Sequence, residues 1–220
     1  MRKILKHIEN LSIGHGKTVL FSGICFDICE GDCIMLCGAN GSGKTTLLKA
    51  LGRETRVDNN FNTVTIPSRI PKVAGFTLKE FIRISCFSQS DMSGKLSPDD
   101  ETALEEALTE MELNELAERD ISTLSDGEFQ KACIAAALVR KATLIMLDEP
   151  TAFLDAENRI AVLETLRKLS SNRAVIFSTH DLHDGMKVAN KVIALGSDGI
   201  LRVSESEINK TVNTIFRTQA

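Results

Sequence analysis

Tryptophan and tyrosine are absent from this sequence, and ten phenylalanines are its only aromatics apart from four histidines. A site that stacks on a flat ring has to use one of those two residue types. No run approaches the roughly eighteen consecutive apolar residues that a membrane-spanning helix needs. The start, Met1-Arg2-Lys3-Ile4-Leu5-Lys6-His7, is followed by Glu9 and Asn10 rather than by the apolar stretch of a secretory signal. The expectation is a cytoplasmic protein whose membrane role, if it has one, comes through a partner. An excess of basic charge is also lacking: the net charge is −4, which argues against a nucleic-acid partner. Internal repeats and low-complexity segments are missing too. What remains is a chain of 220 residues, 43% hydrophobic, enough for one domain or for one core with an insertion.

Four of the six cysteines, Cys25, Cys29, Cys33 and Cys37, fall four residues apart. A turn at Glu30-Gly31-Asp32 predicts a hairpin pairing Cys29 with Cys33 and Cys25 with Cys37 on one face. The spacing matches no zinc motif, so small buried thiols of a reduced protein are favoured over a metal or redox site.

Residues 3 to 29 read as short strands with turns at Gly14-His15-Gly16-Lys17 and Ser22-Gly23. Residues 33 to 51 read as strand, loop and helix, and the polar stretch 52 to 62 as a connecting loop. Thr63-Val64-Thr65-Ile66 has strand composition and stops at Pro67. Thr77-x-x-Glu80 is a capping box. Ser97-Pro98-Asp99-Asp100 starts a further helix with an apolar stripe at Ala103, Leu104, Ala107, Leu108 and Met111. Residues 127 to 140 and 156 to 169 read as helices. Thr143–Leu147 and Ala174–Phe177 are continuous apolar strands of the kind buried in a parallel sheet. Two strands flank Asp198-Gly199, a hairpin signal, and the tail after Ser204 is polar. Strands alternating with helices indicate an α/β fold: a mostly parallel sheet carrying a helical insertion. The core is expected at about 1–75 and 129–205, the insertion at about 76–128 and a polar tail at 205–220.

The richest stretch is Gly38-Ala39-Asn40-Gly41-Ser42-Gly43-Lys44-Thr45, between the apolar run Cys33–Cys37 and a helix opening at Thr46. The spacing G-x-x-x-x-G-K-T is that of a phosphate-binding loop. Its glycines let several backbone N–H groups converge, and the helix adds its positive end. Lys44 is placed to reach β/γ-phosphates and the Thr45 hydroxyl to ligate Mg²⁺. The strand Leu144–Leu147 runs into Asp148-Glu149-Pro150 and presents two carboxylates at the carboxyl edge of the sheet, where ligands of open α/β sheets bind. Asp148 suits hydrated Mg²⁺ and Glu149 a general base for water. Leu124-Ser125-Asp126-Gly127-Glu128 opens a helix whose free N–H groups suit an anion.

Together these motifs resemble the ATP-binding cassette family, in particular the ATPases of iron–siderophore, haem and cobalamin importers. Thr151-Ala152-Phe153-Leu154-Asp155 is similar to that family's D-loop, and Ser178-Thr179-His180-Asp181 to its switch histidine. The resemblance spans roughly residues 4 to 203. It implies a P-loop NTPase core with an N-terminal antiparallel β subdomain and an inserted helical subdomain. It also implies ATP and Mg²⁺ as ligands and a head-to-tail dimer, with a second copy or a paralogous subunit. Ser125 and Gly127 of one subunit then meet the γ-phosphate held by the other, Asp155 lies at the interface, and His180 orients Glu149. Polytopic permease subunits are the implied membrane partners, which puts the chain on the inner face of the cell membrane. An exporter ATPase and a soluble cassette protein that moves no solute are the competing readings.

The sequence departs from the family pattern in three places. The signature carries Asp126 and Glu128 where the family usually has Gly and Gln. A like charge about 6 Å from a phosphate costs roughly 3 kcal/mol at an effective dielectric near 20, so both carboxylates are expected to point away. His15 stands where an adenine-stacking tyrosine is usual, which implies weaker base selectivity. The Q-loop falls either at Gln89, after a strand Ile82–Phe87, or at Ser68, after Ile66-Pro67, because the chain is short between the phosphate loop and the signature.

Overall fold

The computed structural model describes residues 2–16, 18–56, 62–85, 97–196, 201–205, 208 and 210–212. Contacts divide the chain into two compact units. The first comprises Met1–Ser68, Thr143–Ala152 and Leu163–Ala220. The second comprises Arg69–Ala142 and Phe153–Val162.

The first unit is built on a sheet whose strand order is β4-β5-β6-β3-β7-β8. Its members are β3 (Cys33–Gly38), β4 (Thr63–Ile66), β5 (Leu144–Leu147), β6 (Ala174–Ser178), β7 (Lys191–Leu195) and β8 (Leu201–Ser204). The first five run parallel, and β8 closes the edge antiparallel to β7. Every residue of β3, β5, β6 and β7 is buried, which is why these segments read as unbroken apolar runs rather than alternating ones. The turn joining β7 to β8 lies outside the described residues, but the pairing is the one the hairpin signal predicts.

A second, two-stranded antiparallel sheet joins β1 (Ile4–His15) to β2 (Thr18–Cys29). Each strand is twelve residues long, where several short ones were expected. Ser22-Gly23 is not a turn. Leu11 pairs with Ile24 and Ile13 with Phe21, so two residues stand opposite Ser12. That is a β-bulge, and Gly23 takes φ +67° in it. The helix α1 (Lys44–Arg56) continues through residues 52–56, which the polar composition had suggested were loop. Leu47, Leu48 and Leu51 of α1 pack with Ile34 and Leu36 of β3, Met146 of β5 and Phe26 and Ile28 of β2 in one buried cluster. Each such side chain contributes about 2 kcal/mol of burial.

The cysteine hairpin does not form. Strands β2 and β3 part into different sheets: Cys29 pairs with Ile4, and Cys33 with Val175. The turn is fixed instead by Asp32, which is fully buried. Its carboxylate accepts from the Cys29 N–H at 2.9 Å and is paired with Arg2 at 2.6 Å and Lys191 at 3.3 Å. Burial pushes the Cys33 and Cys37 thiols up to about 12, and among the described residues no cluster of metal-binding side chains occurs.

In the second unit α2 (Leu78–Ile84), α3 (Pro98–Glu110) and α4 (Asp126–Val139) pack on one another. The Phe81 and Phe129 rings lie 5.4 Å apart. The capping box at Thr77/Glu80 and the Ser97 cap with Pro98 form as predicted. The expected strand Ile82–Phe87 does not. Ile82–Ile84 end α2, with Leu78 and Ile82 buried four residues apart, one helical turn. Gln89 lies outside the described residues. The helix α5 (Ala156–Leu169) belongs to the second unit through Val162 and to the first from Leu163, and α6 (Leu182–Val188) follows β6. No helix among the described residues is long and apolar enough to cross a membrane.

Candidate functional site

The parallel strands deliver three loops to one sheet edge of the first unit. Strand β3 ends at Gly38 and leads into the loop 38–43, which opens α1 at Lys44. Gly38 has φ +156°, and a Cβ there would sit 2.6 Å from Ser42 Oγ and 2.9 Å from Leu195 O. Only glycine lets the chain leave β3 in this direction. The Lys44 side chain is buried, and its Nζ donates to Gly38 O at 2.9 Å and Ala39 O at 3.1 Å. Burial lowers its pKa, opposed by the nearby Glu149 and Asp148 carboxylates. The Ser42 hydroxyl is buried without a hydrogen-bond partner. An orphaned hydroxyl beside a helix N-terminus and a buried ammonium is a cradle that fits a phosphate.

Strand β5 is the neighbour of β6, and β6 the neighbour of β3. This order brings Asp148 and Glu149 to the same edge as the loop. Thr45 Oγ1 donates to Asp148 Oδ2 at 2.7 Å. One hydroxyl and one carboxylate are hard oxygen donors of the kind Mg²⁺ takes together with phosphate oxygens, so the residues present fit that ion. Glu149 has φ +52°, the left-handed region, and its carboxylate lies 2.5 Å from His180 Nε2. An N–H there aims the carboxylate. Lys44, Thr45, Asp148, Glu149 and His180 are thus assembled as the sequence placed them.

Sequence reading assigned no role to Ser178, the last residue of β6. It is fully buried. Its Oγ donates to Asp148 Oδ1 at 2.8 Å and accepts from the Glu149 N–H at 2.7 Å. One hydroxyl therefore holds the second oxygen of Asp148 and the left-handed backbone of Glu149. The available signal was a single serine ending an otherwise apolar buried strand two residues before His180. Ser178→Ala leaves a part-buried N–H without its acceptor, at a cost of about 1–3 kcal/mol. The expected result is a kcat lowered by about tenfold with ATP affinity changed much less. Steady-state ATPase assays beside nucleotide titrations check this, and a kcat within twofold of the parent would contradict it.

The second unit holds the signature segment and, from Phe153 onward, the end of the D-loop segment with Asp155. Ser125 caps α4 in a capping box: its Oγ accepts from the Glu128 N–H at 3.2 Å, and Glu128 Oε2 accepts from the Ser125 N–H at 2.7 Å. That N–H and the Ser125 hydroxyl hold the Glu128 carboxyl below its usual range. Glu128 is folded back onto the N-terminus of its own helix. Asp126 is paired with Lys72 Nζ at 2.6 Å. A Cβ on Gly127 would lie 2.7 Å from Asn158 Oδ1. Asn158 cannot give way cheaply, because its N–H and Nδ2 both donate to Asp155, at 2.8 and 2.9 Å. Those bonds also hold the Asp155 carboxyl below its usual range. The D-loop aspartate and the signature glycine therefore share one neighbour. His15 ends β1 opposite Thr18; its side chain lies outside the described residues.

The ABC transporter family profile matches residues 21–152. The chain belongs to that family. An uncharacterised ABC transporter ATP-binding protein of Methanocaldococcus jannaschii is 30% identical, over 88% of this chain and 73% of that one. The iron(3+)-hydroxamate import ATP-binding protein of Bacillus subtilis is 29% identical, over 88% of this chain and 80% of that protein. A solved inward-facing transporter of metal-chelate type superposes with a TM-score of 0.84 at 26% identity, covering 96% of this chain and 88% of that one. As a cassette of this family the chain binds ATP and hydrolyses it for a transporter.

Proposed function

We propose that the chain is half of a two-cassette ATPase that drives import of an iron chelate through separate membrane subunits. The observation that carries the reading is the assembly of Lys44, Thr45, Asp148, Glu149 and His180 at one sheet edge. Loop 38–43 with Lys44, Thr45 and Thr46 seats the triphosphate. Thr45 and Asp148 would hold Mg²⁺, which would supply positive charge to the triphosphate. Glu149 polarises the attacking water, and His180 and Ser178 fix where its carboxylate points. The signature lies on the other compact unit, where Ser125 caps the helix α4. A second copy, or a paralogous subunit, brings that serine and the Gly127 amide to the γ-phosphate, so turnover requires the dimer.

Ser68 is the Q-loop residue in this reading. It follows β4, which pairs in parallel with β5, and the Asp148 N–H donates to Ile66 O at 2.9 Å. Ser68 also ends the first of the three stretches that make up the first compact unit, and from it the chain passes into the helical unit, on which a permease docks at the inner face of the membrane. Iron chelates are favoured as cargo by the names of the relatives that import siderophores. The test is to tag the chain in its native host, solubilise membranes and identify what co-purifies, then measure uptake of ferric hydroxamate by cells lacking the gene. A polytopic partner and lost uptake are expected. A soluble partner alone, or unchanged uptake, would overturn the transport assignment or the cargo respectively.

A further inference from the structure

The Glu128 carboxylate of the signature is satisfied by the cap of its own helix, but Asp126, between Ser125 and Gly127, takes an outside partner. Its side chain is 64% exposed, and its Oδ1 meets Lys72 Nζ at 2.6 Å. Lys72 is not a loose surface lysine. Its side chain is only 23% exposed, and its Nζ also donates to Leu124 O at 2.7 Å and lies 5.6 Å from the centre of the Phe129 ring. Two positions of the signature, 124 and 126, and Phe129 just after it converge on this ammonium. The carbonyl and the ring face both attract the ammonium and hold it in place, and Asp126 supplies its one full counter-charge there.

We infer that Lys72 is a positioning residue for the signature: it cancels the Asp126 charge and braces the Leu124 carbonyl, so that Ser125 and Gly127 can receive the triphosphate of the opposite subunit. The acidic signature is then workable because of a cation more than fifty residues upstream, on the segment that follows Ser68. This rests on the proposal that the signature completes the partner's site.

The experiment uses Glu149→Gln as the parent and measures the MgATP concentration that half-saturates dimer formation by size-exclusion light scattering. Lys72→Met, which keeps the aliphatic stem against Phe129, is expected to raise that concentration about tenfold. The affinity of the monomer for nucleotide, set by the first unit's own loop, is unchanged. Lys72→Met combined with Asp126→Asn is expected to return within about threefold of Asp126→Asn alone, because the uncompensated charge is gone. Added salt narrows the Lys72→Met defect, and Lys72→Arg retains most of the parent behaviour. A Lys72→Met that dimerises as the parent does, or a double variant as defective as the single one, overturns the charge-compensation role. A parent that forms no dimer with MgATP at any concentration overturns the proposed function, and this inference with it.

Discussion

Glu149→Gln is expected to abolish turnover while leaving ATP bound and the dimer closed. The substitution keeps the volume, and an amide oxygen still accepts from His180 Nε2, so the loop geometry is retained. What disappears is the basicity that polarises water; general-base contributions of this kind are about 10²- to 10⁴-fold in rate. A negative charge facing a triphosphate is removed as well, which strengthens rather than weakens nucleotide retention. The left-handed backbone at residue 149 is held by the Ser178 hydroxyl and is indifferent to the exchange. Steady-state phosphate release and size-exclusion chromatography with and without MgATP read the two halves of the result. A hydrolysis rate near that of the parent would remove Glu149 from its assigned role.

Lys44→Ala strikes binding itself. The ammonium is buried at the mouth of the loop, where its Nζ reaches the Gly38 and Ala39 carbonyls. A phosphate oxygen is a stronger acceptor than either, and loss of one such charge-stabilising donor costs about 3 kcal/mol. Affinity for ATP is expected to fall by about a hundredfold or more. The fold should not suffer. Burial lowers the Lys44 pKa, which means that the charged form is disfavoured in the folded chain. Removing it relieves that penalty but takes a donor from the Gly38 and Ala39 carbonyls, so the thermal midpoint is expected to change little. Calorimetry and thermal melts of the same preparation separate the two effects. A lowered midpoint with unaltered ATP affinity would assign Lys44 to stability instead.

Much of this architecture could be read from residues because its determinants are local. The phosphate loop, the capping box at Thr77, the helix start at Ser125, the proline-led start of α3 and the apolar runs of β3, β5 and β6 each carry their own physical signature within a few residues. The misreadings share the opposite property. Cys29 and Cys33 flank a good turn, yet the partner of Cys33 is Val175, and no local rule says which sheet a strand will join. The Ile82–Ile84 segment has strand-like composition, but the capping box upstream and the burial of Leu78 with Ile82 commit it to helix. Ser22-Gly23 has the composition of a turn and is a bulge, because the pairing on both sides of it continues.

The site shows the same division. Lys44, Thr45, Asp148, Glu149 and His180 were legible because each stands at a fixed distance from a motif glycine or a strand end. Ser178 was not, since its two partners sit on the neighbouring strand's terminus and only the β5–β6 pairing brings them together. That the signature acids would point away from a phosphate followed from electrostatics. The fold-back of Glu128 onto the Ser125 N–H and Lys72 as the partner of Asp126 both came from the structure.

The central claim is that residues 38–46 seat a nucleoside triphosphate facing Asp148 and Glu149. Isothermal titration of MgATP into the purified wild-type chain tests it most directly. A saturable heat that vanishes in Lys44→Ala is the predicted result; no heat from folded protein with any nucleoside triphosphate would contradict it.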